Sequence, residues 1–119
     1  MRLILVTIIS LITLNVNAQS KDEIINELEI VLKKHCESTQ LKNADIYYNT
    51  EEKIFDFGDR YDLDTTKLTY KFVGTSEEPI HILQFVRDSN PNSSTGFFFD
   101  SKKSVYRVLD LIYLLKKLE

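Results

Sequence analysis

The chain carries three kinds of hydrophobic pattern, and each predicts a different element. From Lys21 to about Glu37 the apolar residues fall at Ile25, Leu28, Leu32 and Cys36, with Ile24 and Val31 beside them. Steps of three and four place them on one face of a helix. Ser20 stands where an N-cap belongs, and Glu23 follows three residues later as a capping-box partner. Asp22 and Glu23 in the first turn, with Lys33, Lys34 and His35 in the last, match the helix dipole in sign.

From Ile46 the period shortens towards two. Ile46-Tyr47-Tyr48 and Lys53 to Phe57 flank Asn49-Thr50-Glu51-Glu52, which predicts two strands and a four-residue hairpin connection. Gly58 to Thr66 is polar and predicts a loop. Lys67 to Val73 alternates cleanly, with Leu68, Tyr70 and Phe72 on one face and Lys67, Thr69 and Lys71 on the other. After a turn at Gly74 to Pro79, Ile80 to Val86 is apolar on both faces, the pattern of a central or covered strand. Asp88 to Ser94 is a loop by composition, and Thr95 to Asp100, carrying Phe97-Phe98-Phe99, is a fifth strand.

The third pattern is a helix from Lys102 or Lys103 to about Leu118, capped by Ser101 or Asp100. Val105, Val108, Leu109, Ile112 and Leu115 form one stripe; Leu111, Leu114 and Leu118 form another, with Tyr106 and Tyr113 between them. So wide an apolar surface exceeds what one face of a surface helix buries. The helix is expected either to be buried on two sides or to meet a partner chain. The predicted architecture is α+β: an N-terminal helix, an antiparallel meander of about five strands, and a C-terminal apolar helix packed on the sheet. The element order from Ile46 to Leu118 resembles pleckstrin-homology-like folds. That resemblance implies a curved sheet of seven strands plugged by the C-terminal helix, two strands more than the pattern predicts.

Ahead of these elements, Met1-Arg2 leads into an apolar or small stretch from Leu3 to Leu14 and then Asn15-Val16-Asn17-Ala18-Gln19. A short positive end, an apolar segment and small residues before a cut are the parts of a secretory signal peptide. Val16 and Ala18 fit the two positions that signal peptidase reads, which places cleavage after Ala18. The segment is too short for a membrane anchor, which needs about twenty apolar residues. No cysteine follows it for lipid attachment. The expected products are a signal peptide, residues 1–18, and a small α+β domain, residues 19–119, in the periplasm or outside the cell.

Export changes how the composition is read. Losing Arg2 and no acid takes the formal charge from −3 to −4, a poor match for nucleic acid or anionic membranes, which require a basic footprint. Cys36 is the only cysteine, so no internal disulfide forms even in an oxidising compartment, and packing alone must hold the fold. Its place on the first helical stripe predicts a buried thiol behaving as a small hydrophobe; pairing with a second chain and a reactive thiol are the alternatives.

Candidate chemistry is sparse. The two histidines are His35, at a helix end where a cation is favoured, and His81, on the same strand face as Leu83 and Phe85, where a core or sheet-edge role is expected. Neither sits beside a nucleophile in sequence, and no cysteine–histidine spacing makes a zinc site. The loop from Asp56 to Asp64 is acidic but lacks the alternate-position ligands of a calcium loop and contains Arg60. The three glycines fall at turns and leave no phosphate cradle. No cofactor is expected, and no catalytic residue is assigned. The one pattern with functional content is an acidic, tyrosine-containing stretch. Tyr47, Tyr48, Glu51, Glu52, Asp59, Tyr61, Asp62 and Asp64 form a candidate partner surface, rings supplying area and acids steering a basic protein. The expectation is a small exported non-catalytic binding protein whose target is most simply another protein, or a second copy through the C-terminal helix. An inhibitor or immunity-type protein against a toxic or lytic enzyme, and a carrier of a small apolar ligand, are the alternatives.

Overall fold

The computed structural model describes residues 20–118; the expected signal peptide lies outside them. Among the described residues no helix is long and apolar enough to cross a membrane. The order is α1 (Lys21–His35), α2 (Thr39–Lys42), β1 (Tyr47–Asn49), β2 (Ile54–Asp56), β3 (Arg60–Asp62), β4 (Thr66–Gly74), β5 (Pro79–Arg87), β6 (Ser94–Phe99) and α3 (Lys102–Lys116). The class is α+β, as the periodicities predict.

Among the described residues the meander of about five strands is corrected to six, in two separate antiparallel sheets ordered β1-β2-β3 and β4-β5-β6. The extra strand is β3, inside the stretch Gly58–Thr66 expected as a loop. It pairs with β2 through Ile54 opposite Asp62, Phe55 opposite Tyr61 and Asp56 opposite Arg60. Two three-stranded sheets also replace the single seven-stranded curved sheet that the pleckstrin-homology-like resemblance implies.

Both long helices start as their caps dictate. Ser20 Oγ accepts the Glu23 N–H at 3.2 Å, and Ser101 Oγ accepts the Ser104 N–H at 3.1 Å. Ile24, Leu28 and Leu32 of α1 are sealed, and α1 packs along α3. The width of the α3 stripe is explained by burial on two sides. Val105, Val108, Leu111, Ile112 and Leu115 are buried between α1 and the β4–β6 sheet, and Leu118 packs on the same core. Leu114, of the second stripe, stays 38% exposed.

An aromatic cluster joins the two sheets. Tyr48, Phe55 and Tyr61 stand opposite one another across β1, β2 and β3 and are all buried. Tyr61 lies 4.7 Å from the Phe85 ring, and the Phe57 ring meets Phe97 edge-on at 5.4 Å. Arg87 covers this cluster, its guanidinium 4.0 Å over Tyr61, while it donates to the Arg60 carbonyl and pairs with Asp59. Cys36 is sealed in the core where its segment bridges Phe99 of β6. Burial pushes the thiol above its ordinary pKa.

Candidate functional site

The eight residues of the predicted acidic surface do not form one site. Tyr48 and Tyr61 are 5% and 1% exposed, so neither ring offers area to a partner. Burial, reinforced by the nearby Asp64 and Asp62, raises the Tyr48 hydroxyl above its ordinary pKa and keeps it neutral. Glu51 and Glu52 in the β1–β2 turn share one end of the first sheet with Asp62 and Asp64, because Asn49, Ile54 and Asp62 stand in line across the strands. Asp59 lies at the opposite end, held by Arg87 at 3.6 Å and the Tyr61 hydroxyl at 3.3 Å. Asp62 Oδ1 accepts the Asp64 N–H, so part of the acidity serves the turn itself. Tyr47, Glu51, Glu52 and Asp64 remain exposed.

His35 and His81 acquire partners from other elements. His35 Nδ1 lies 2.7 Å from Asp100 Oδ2, and Ser104 Oγ bonds the other carboxylate oxygen at 3.0 Å. Partial burial raises Asp100, but the hydrogen bonds from His35 and Ser104 outweigh it and leave the carboxyl below its ordinary pKa. The pair ties the end of α1 to the end of β6, where Asp100 also donates its N–H to the His35 carbonyl. Ser104 approaches the carboxylate and not the imidazole, so this is not a nucleophile–base pair. His81 is half-buried on the inner sheet face, as its alternation predicts, 2.7 Å from the Tyr70 hydroxyl. Among the described residues no three histidine, cysteine or carboxylate side chains gather as a metal site.

The feature that sequence reading missed lies between β4 and α3. Among the described residues β4 is the outer strand of its sheet, nine residues long, with no further strand beside it. Between its edge and α3 runs an open groove of about 400 Å³, within the range of ligand-binding clefts. Thr66 and Leu68 form the strand wall; Tyr106, Leu109, Ile112 and Tyr113 form the helix wall. Asp110 and Lys116 also line it. The Thr66 hydroxyl is buried and bonded to no protein atom. At one end Tyr70 packs on Tyr106 with ring centroids 5.4 Å apart, and Lys102 Nζ sits 5.6 Å over each ring.

Among the described residues the opposite face of the same sheet carries no helix. Val73, Ile80, Ile82 and Phe98 share it, with Ile80 41% and Phe98 50% exposed. On the inner face Phe72 extends beyond α3 and is 48% exposed. The alternation of β4 and β5 was legible in the sequence; which strand is outermost, and how far α3 reaches along it, was not. Comparison with family models, with curated proteins and with solved structures finds no match to this chain.

Proposed function

We propose that this chain is exported and acts as a non-catalytic binding protein whose target is another protein. One observation carries the reading: large apolar side chains stand uncovered together on the β4–β6 sheet. On the face turned away from α3, Ile80 and Phe98 are each about half exposed, with Val73 and Ile82 beside them in the register of three paired strands. Contiguous apolar surface of this kind is characteristic of interaction sites, whereas single exposed residues are ordinary. The apolar segment before Asn15 supplies the export, and cleavage after Ala18 is expected to give an N-terminus at Gln19 on sequencing of the secreted protein.

The test is a photo-crosslinking amino acid placed at Phe98 and, separately, at Ile30 on the far side of α1, which is 57% exposed. A discrete heavier adduct from Phe98 alone, identified as a protein, is the expected result. Equal adducts from both positions, or none, would sink the reading. A carrier of a small apolar ligand is the second reading, and the apolar walls of the β4–α3 groove favour it. Native mass spectrometry of the purified protein with a retained apolar ligand, together with no crosslink at Phe98, would put that reading first.

A further inference from the structure

The β4–β5 ladder fixes which backbone groups of β4 are free. Its outermost bonds are Asp88 N–H to the Thr65 carbonyl at 2.8 Å and Thr75 N–H to the Glu78 carbonyl at 3.2 Å. The register is unbroken between them, with Thr66 opposite Arg87 and Gly74 opposite Pro79. Antiparallel bonding alternates. Lys67, Thr69, Lys71 and Val73 therefore exchange their bonds with β5, and Leu68, Tyr70 and Phe72 direct their N–H and carbonyl groups to the open edge. The side chains of those same three residues point to the inner face, where Leu68 borders the groove against α3. The edge thus offers backbone pairing and, directly beside it, an apolar trough.

The charge around this edge runs against the rest of the molecule. In a chain of net charge −3, the edge and groove carry Lys67, Lys71, Lys102 and Lys116 against Asp110. Lys67 and Lys71 project from the outer face of β4 and are exposed. A strand added beside β4 would set alternate side chains directly opposite them, where opposite charges attract and like charges repel. A second copy of β4, paired antiparallel about Thr69, would bring Lys67 against Lys71 twice. Edge lysines of this kind oppose self-pairing. The occupant that satisfies both faces is a foreign strand, acidic on its outer side and apolar on the side that enters the groove.

We propose that the open edge of β4 receives an extended segment of a partner protein as a fourth strand, with acidic residues facing Lys67 and Lys71 and apolar residues entering the groove beneath α3. This rests on the protein-binding reading and names its site and chemistry. Main-chain pairing supplies affinity, and the alternate side chains supply selectivity. Tyr70 and Tyr106, held together under Lys102, close one end of the trough.

The probe is a fluorescein-labelled ten-residue peptide alternating valine and glutamate, titrated into the protein by fluorescence anisotropy, with its valine–lysine counterpart as control. Saturable binding of the acidic peptide alone is expected. Reversal of both edge charges (Lys67→Glu with Lys71→Glu) lies on exposed side chains, so folding is retained. It should weaken the acidic peptide about tenfold or more and confer binding of the basic one. On binding, amide exchange at Leu68, Tyr70 and Phe72 should slow, while Lys67, Thr69 and Lys71, already bonded to β5, change little. No saturation up to about 1 mM, a weak-affinity limit, overturns the proposal. So does protection elsewhere, or indifference to the charge reversal. A Phe98 crosslink to a protein that survives the charge reversal would leave the binding function standing and remove β4 as its site.

Discussion

The two sheets share one core but are built to different ends. The first has three strands of three residues, and its inner row, Tyr48, Phe55 and Tyr61, is sealed against the second. The second has two nine-residue strands and one of six, and its strands run beyond what α3 covers. In the first sheet the inner row serves stability, and Tyr47 is its large exposed side chain. The second carries more strand than the core requires, and the excess is where Phe72, Ile80, Phe98 and the β4 edge lie. Surplus structure that buries nothing inside the molecule is the surface most readily given over to binding.

That contrast can be broken most directly at Phe55, which is 1% exposed and contacts both Phe57 and Phe85. Phe55→Ala should cost about 3–5 kcal/mol by urea unfolding, as for other large aromatic truncations in cores. A loss under 1 kcal/mol would mean the first sheet is not the sealed half. Gly74 tests the second sheet where it does need its geometry. Its φ is +92°, and a Cβ there would stand 2.3 Å from the Glu78 carbonyl oxygen. Gly74→Ala should therefore lose about 1–3 kcal/mol, and a neutral result would show that the β4–β5 turn relaxes freely.

Asp100, which ties α1 to β6, sharpens the comparison through pH. Its folded-state pKa lies below the ordinary value, so its stabilisation is fully present above the unfolded carboxylate pKa of about 4 and fades as pH falls through the lower folded value. Asp100→Asn should lower the melting temperature at neutral pH and narrow its gap to the parent as pH falls below the ordinary carboxylate range. A gap independent of pH would remove the His35–Asp100 pair from that role. The smallest effect belongs to Phe98→Ser on the uncovered face, expected to change stability by no more than about 0.5 kcal/mol. A large loss there would show that the outer face is structural after all.

Much of the fold was legible along the chain because it is locally encoded. Ser20 and Ser101 mark both long helices, and the alternations of β4 and β5 begin and end within about a residue of the observed strands. β3 escaped because Arg60-Tyr61-Asp62 holds a single apolar residue, too short for a period to register. Its burial comes from Phe57 and from Phe85, the latter distant in sequence and so outside any local pattern. For the same reason the acidic surface was read too widely. Tyrosine spaced among acids looks exposed, yet Tyr48 and Tyr61 turn inward by strand parity and pairing. Glu51, Glu52 and Asp64, on turns, were legible as surface; the β4 edge was not, because edge position follows from sheet order.

The packing of α1 along α3 brings the first and last described elements together. Ile24, Leu28 and Leu32 therefore have no complete cover until the final fifteen-residue helix has been made. A chain emerging N-terminus first holds an unsatisfied apolar stripe for most of its synthesis, and closure must wait for contacts of high sequence separation. The domain should thus mature in one late step, and a product ending before Lys102 should stay open to proteolysis however much strand it contains.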